Sequence, residues 1–183
     1  MGRASQAQAR ENRQRVVDTA ARLFREQGAQ VSVAELMKAA GLTHGAFYKQ
    51  FASKEALFDE ATAQAFEAVA HGADRHRVSP DAASPNELID AYLSAEHRDD
   101  TAEGCPVAAL AVDVARGQSG PVARDRFNEG VAEFARRIAT DEDDGLSRLS
   151  TMVGALILSR ATQGTPLSDE ILTAARAVLT TAD

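Results

Sequence analysis

Thr43, His44, Gly45, Ala46, Tyr48, Lys49 and Gln50 bring small, polar and basic groups together in one short stretch, a mixture suited to meeting base-pair edges. An imidazole at His44 donates or accepts at a base edge, and Ala46 matches a thymine methyl. Downstream, Ser53, Lys54 and Glu55 open a further helix, gathering amides and a cation where a phosphate could sit. Ser32, at the head of an earlier helix, offers a second such seat. Cys105 is the other reactive candidate. In Gly104-Cys105-Pro106 the proline suits a first helical position, which puts the thiol at the N-cap, where helix amides favour thiolate and neighbouring Glu103 opposes it. Glu67, His71, Asp74 and His76 carry ligand-type side chains, but no second cluster at ligand spacing supports them and they read as a solvated face. No metal and no cofactor is expected. Nucleophile-base pairs, paired acids and a phosphate-cradling glycine loop are not found, so no catalytic residue is expected and the chain does not read as an enzyme.

The elements that must position the first group lie in VAELMKAAGLTHGAFYKQF, Val33 to Phe51. Val33, Leu36, Met37 and Ala40 fall at helical spacing, and Ser32 with Glu35 three residues on is a capping-box signature. Gly41 follows where a left-handed C-cap favours a residue without a Cβ. Thr43 then caps a second helix running to Gln50, with Phe47 and Phe51 as its buried edge. Two helices about a glycine turn form a helix-turn-helix, whose second helix enters a major groove. Val16, Val17, Ala20, Leu23 and Phe24 mark a bracing helix from Arg10 to Gln27, closed by Gly28. Residues 1–9 are expected as a flexible arm, with Arg3 and Arg10 as possible groove or phosphate contacts.

Charge agrees. Up to Lys54 nine basic residues face four acidic ones, a formal +5, whereas the 183-residue chain is −7, leaving −12 on the remainder. Affinity for a polyanion must then come from the first segment. Hydrophobic residues are 44% and aromatic residues 5%, with no Trp, and the Ala-rich, Gly-poor segments favour helices. No apolar run approaches a membrane span, the start MGRASQAQAR lacks a signal-peptide core, and a single Cys fits a reducing compartment, so a cytoplasmic location is expected.

From about Arg10 to Leu57 the chain resembles the TetR family of bacterial transcriptional regulators: RENRQRVVDTAARLFREQG, then VAELMKAAGLTHGAFYKQFASKEAL with its Gly-Leu-Thr turn, Phe-Tyr pair and closing Phe-x-Ser-Lys-Glu-Ala-Leu. Met37 departs from it, since the family usually has a small residue there. The resemblance implies an all-α chain: an N-terminal three-helix helix-turn-helix DNA-binding domain, 1–52, joined by a long helix to a C-terminal helical effector-binding and dimerisation domain, 53–183. It implies a homodimer on palindromic double-stranded operator DNA, acting as a repressor released by a small-molecule effector. The motif as it stands here carries over phosphate contacts for Tyr48, Lys49 and Lys54, beside base-edge contacts from Thr43, His44, Gly45 and Ala46.

The rest of the chain reads as further helices. One opens at Ser53 and runs through Leu57, Phe58, Ala61, Ala65 and Val69; Val78 to Pro85 is a loop, and Ser84, Pro85 and Glu87 start the next helix, with Leu88, Ile89, Tyr92 and Leu93. HRDDTAEG breaks the pattern, a helix restarts at Pro106, and another carries Val122, Phe127, Val131, Phe134 and Ile138. Leu146 to Thr162 is apolar on more than one face and is expected to pair with Ser168 to Thr180 in a four-helix dimer interface through Leu149, Val153, Leu156, Ile157, Ile171, Ala175 and Val178. The family's effector cavity would fall among Phe66, Tyr92, Cys105, Leu110, Phe127, Phe134, Met152 and Leu156, suiting a hydrophobic or aromatic molecule. GCPVAAL also resembles a segment of family members that respond to electrophiles, which leaves two readings of Cys105: a switch thrown by oxidation or alkylation, or a small packing residue. A dimeric binding protein that has lost its operator is the reading from another class; salt-dependent DNA binding separates the two.

Overall fold

Capping chemistry written into the sequence divides the chain into helices. The computed structural model describes residues 2–70 and 84–180, and every regular element among them is helical. They are α1 (Gly2–Gln27), α2 (Val33–Ala39), α3 (His44–Phe47), α4 (Lys54–Ala70), α5 (Pro85–Tyr92), α6 (Ala95–Asp99), α7 (Pro106–Ala115), α8 (Pro121–Ile138), α9 (Leu146–Ala161) and α10 (Pro166–Thr180). Two reciprocal capping boxes, Ser32 with Glu35 and Ser84 with Glu87, start α2 and α5. Proline at the first turn, where its missing N–H costs nothing, starts α5, α7 and α8.

Two apolar cores result. The first joins Val16, Ala20 and Phe24 of α1, Leu36 and Met37 of α2, Phe47 and Phe51, and Leu57, Phe58 and Ala61 of α4. Leu110 and Val114 of α7 and Ala123 of α8 complete it from the other side. Phe24 and Phe58 are each 1% exposed with centroids 5.0 Å apart, and each such ring contributes roughly 1.5–3 kcal/mol by leaving water. The second core joins α5, the head of α7, the end of α8, α9 and α10 around Ile89, Leu93, Ile138, Met152 and Leu156. The first core thus continues into α4 as far as Ala61, past the expected domain limit at 52.

Several expectations need correction. Helix α1 begins at Gly2, so residues 2–9 continue the bracing helix instead of forming a flexible arm; Ala4, Gln6, Ala7, Gln8 and Ala9 are helix formers. The segment expected to break the pattern begins inside α6, which is opened by Ser94, whose Oγ accepts the His97 N–H at 3.1 Å. Val122 is 51% exposed, and its neighbour Ala123 takes the buried place beside α4. His71, Asp74, His76 and most of the expected Val78 to Pro85 loop lie outside the described residues.

Candidate nucleic-acid interface

The turn between α2 and α3 is built from backbone bonds that only a left-handed residue permits. Gly41 has φ +71°, its N–H donates to the Lys38 carbonyl at 3.1 Å, and the Leu42 N–H donates to the Met37 carbonyl at 2.8 Å. This reversal aims α3 away from α2. Phe47 (1% exposed) and Phe51 (4%) stack with centroids 5.5 Å apart and pin α3 and the turn after it to the first core. Arg13 lies 4.7 Å over the Phe51 ring and donates twice to Glu60, at 2.6 and 2.5 Å, which ties α1, the segment after α3 and α4 together.

With that edge inward, Thr43, His44, Gly45, Tyr48 and Lys49 are exposed and Ala46 is half-buried. Thr43 is the N-cap of α3, yet its hydroxyl makes no cap bond, leaving it turned outward. Tyr48 is 66% exposed and stands edge-on to His44 at 5.6 Å and to Phe47 at 5.2 Å. An added Cβ at Gly45 would meet nothing within 4 Å. The helical part of α3 ends at Phe47, shorter than the Thr43 to Gln50 expected, and residues 48–50 follow as a turn.

The two expected phosphate seats are differently placed. At the head of α2 the Ser32 Oγ accepts the Glu35 N–H at 3.2 Å and donates to the Glu35 carboxylate at 2.7 Å. Those bonds hold the Glu35 carboxyl below the usual range, so the chain's own anion fills this helix terminus and Ser32 is committed internally. Lys54 donates to the Ala29 carbonyl in the link between α1 and α2, and it lines a cleft together with Gln30, Glu55, Phe58 and Gln118. Arg13, Arg22 and Arg25 are ion-paired to Glu60 or Glu103. The cationic surface is therefore narrower than the count of nine suggests, with Lys38 and Lys49 exposed at the end of α2 and beside α3.

The bacterial regulatory proteins of the tetR family match this region, residues 16–61. The HTH-type transcriptional regulator AcrR of Shigella flexneri is 46% identical over 61 residues, covering 33% of this chain and 28% of that protein. Residues 16–61 are thus similar to the N-terminal part of tetR-family regulators. The chain matches less than a third of that regulator's length. Fold similarity reaches much further: E. coli NemR in its reduced form superposes with a TM-score of 0.70 at 18% identity over 93% of this chain and 96% of that one. The multidrug binding protein EbrR, solved with imidazole, gives a TM-score of 0.58 at 26% identity over 93% and 89%.

The seam between α1–α4 and the helices that follow rests on contacts that sequence reasoning missed. The Ala29 N–H donates to the Asp113 carboxylate at 3.0 Å, and a Cβ at neighbouring Gly28 (φ +74°) would sit 3.1 Å from the same oxygen. Arg25 donates to the Ala102 carbonyl at 2.7 Å, and Glu103 bridges Arg22 and Arg25. Asp59 of α4 accepts the Ala123 N–H at 3.2 Å at the head of α8. Asp113 was detectable as the one acid in apolar PVAALAVDVA, buried at 7% exposure, although its partner was not.

The expected effector residues are partly gathered. Tyr92, Cys105, Met152 and Leu156 share the second core, with Phe66, Phe127 and Phe134 against it; Tyr92 and Phe134 lie 5.4 Å apart, Phe66 and Phe127 6.1 Å. Leu110 belongs to the first core instead, because the α7 face that carries it turns toward α1 and α4. Cys105 is the N-cap of α7 with Pro106 next, as expected, and it is 6% exposed. Of the expected interface set, Ile157 (38%) and Val178 (66%) are exposed, and Val153 and Ile171 are half-buried. Leu149, Leu156 and Ala175 are 4%, 0% and 8% exposed within the single chain. No helix among the described residues is long and apolar enough to cross a membrane.

Proposed function

We propose that this chain is a homodimeric repressor that reads palindromic operator DNA through α3 and leaves it when a small hydrophobic or aromatic effector enters the C-terminal helices. One observation carries the reading: Phe47 and Phe51 are buried while Thr43, His44, Gly45, Tyr48 and Lys49 stand exposed on one slim surface. Thr43, His44, Gly45 and Ala46 then face base edges, with Tyr48, Lys49 and the remaining Lys54 N–H groups on phosphates. Ser32 is not carried forward, since its hydroxyl serves Glu35. Two such surfaces in one dimer reach successive grooves about 34–36 Å apart. The half-buried rings of Phe66, Phe127 and Phe134 suit an aromatic effector, and the similarity to EbrR, a multidrug binding protein, supports that class.

A second reading rests on the place of Cys105, at the head of α7 and next to Gly104, where an added Cβ would lie 2.8 Å from Arg160 Nη2. A thiolate there would be open to oxidation or alkylation once its 6% exposure rises. One experiment tests both. Fluorescence anisotropy on the duplex upstream of the chain's own gene should give tight binding whose log affinity falls linearly with log salt, by about 0.9 per phosphate neutralised. A peroxide is then added to the same cuvette. Binding lost in the wild type and kept in Cys105→Ser establishes the thiol switch, indifference sends the search to aromatic effectors, and absence of salt-sensitive binding rejects the DNA reading.

A further inference from the structure

His97 of α6 is 2% exposed and bonded on both sides of its ring. Nδ1 lies 2.7 Å from the Tyr92 carbonyl oxygen, and the Cys105 backbone N–H donates to Nε2 at 3.1 Å. A carbonyl only accepts and an amide only donates, so the imidazole is held neutral with its proton on Nδ1. The amide it receives is that of the α7 N-cap, where the thiol makes no cap bond and Pro106 has no N–H. From α9, Arg160 donates to the Arg98 carbonyl and the His97 carbonyl, each at 3.0 Å, and burial holds its guanidinium below its ordinary pKa. Gly104 fits because it lacks a side chain: an added Cβ would lie 2.8 Å from Arg160 Nη2 and from the Asp100 carbonyl, and 3.3 Å from His97 Nε2. The segment gripped in this way, residues 100–105, is the one that offers the Ala102 carbonyl to Arg25 and the Glu103 carboxylate to Arg22 and Arg25 of α1.

We propose that neutral His97 is a positioning residue for DNA reading: by accepting the Cys105 amide it holds residues 100–105 in the shape that grips α1, and its protonation releases that grip. The proposal rests on the DNA-binding reading above. An imidazolium has no lone pair for the Cys105 N–H, so the α7 N-cap loses its acceptor and two like charges, on His97 and Arg160, share a buried neighbourhood. Among the described residues the groups near the ring include Tyr92 from α5, edge-on at 4.6 Å, and the Arg160 guanidinium from α9, with Asp99 and Asp100 at the end of α6 and Cys105 at the head of α7 in the adjoining segment. Asp99 is bonded to Arg98 and Gln163, and Asp100 accepts the Glu103 N–H at 3.2 Å, so these carboxylates are already engaged. The gripped state binds fewer protons at His97 than the released state, and acid therefore favours release.

The test is anisotropy on a duplex selected from a randomised pool, followed from about pH 8 to about pH 5.5, the range in which His changes charge, for wild type, His97→Gln and His97→Ala. Glutamine keeps a donor and an acceptor and does not titrate. The expected result is near-equal affinity of wild type and His97→Gln at the upper pH, and a loss of about tenfold for wild type relative to His97→Gln at the lower, the scale of one buried hydrogen bond. His44, His71 and His76 are common to both proteins and cancel in that ratio. His97→Ala should bind weakly throughout. Parallel profiles for wild type and His97→Gln overturn the proposal. Hydrogen exchange on the unbound protein keeps the two readings apart: at the lower pH the amides of Cys105, of residues 107–110 and of residues 22–29 should exchange faster in wild type than in His97→Gln. If no duplex binds at any pH, the DNA reading fails while this exchange ratio still decides the grip, and an unchanged ratio overturns it.

Discussion

Gly41 and Gly45 stand four residues apart, and an added Cβ would meet nothing within 4 Å at either, yet substitution should act on them in opposite directions. Gly41 has φ +71°, so Gly41→Ala forces a Cβ into the left-handed region and should lower unfolding free energy by about 1–2 kcal/mol. Gly45 lies in the first turn of α3 without a positive φ, so Gly45→Ala should stabilise the fold by up to about 1 kcal/mol. Under the proposed function the same methyl would stand on the surface that meets DNA, where it should weaken binding by about tenfold or more, as a lost close contact of about 1.4 kcal/mol would. Urea denaturation and anisotropy on the two variants check this crossing of signs; a Gly45→Ala protein that binds DNA as well as wild type removes Gly45 from the interface. Gly41 was legible because a left-handed stop after a helical stripe is a local matter. Asp113 was not read from the sequence, since its partner Ala29 lies 84 residues away in the chain.

At the scale of elements, the helices that could be read were those whose ends are fixed by neighbours in sequence. Ser32 with Glu35 and Ser84 with Glu87 set α2 and α5 where expected. Helix α6 escaped notice: only Ala95–Asp99 long, it shows no apolar period and depends on Ser94 and on the packing of His97. Helix α9 was recognised but its faces were not resolved, because apolar residues surround it and only packing decides that Leu149 and Leu156 turn inward while Ile157 and Leu158 turn out. The α2 cap yields a pH-dependent expectation. Glu35 is held below the usual carboxylate range by its bonds to Ser32, so its contribution is present above the unfolded pKa and lost as pH falls through the folded one. Ser32→Ala should therefore lower the urea midpoint near neutral pH, with the gap from wild type closing in acid. A gap that stays constant to low pH would place the stabilisation in the hydroxyl alone.

For the whole molecule, α9 and α10 expose an apolar surface that the subunit leaves uncovered. Ile157 is 38% exposed, Leu158 57% and Val178 66%, with Val153 and Ile171 half-buried beside them. These are the residues that a second copy would cover if the chain acts as the proposed dimer, and a charge set among them has no partner there. An Ile157→Asp, Val178→Asp protein should elute as a monomer at concentrations where wild type is a dimer, and it should remain folded because neither side chain belongs to a core. Its DNA binding follows from the geometry of two half-sites. A monomer holds one head on one half-site and loses the high effective concentration at which the second would bind. Its affinity should fall by about a hundredfold or more, and the salt slope should drop to about half, since half the phosphates are met. A monomer with an unreduced salt slope would mean that one subunit already makes every phosphate contact, and the two-half-site model would then fail even though the reading head was correctly placed.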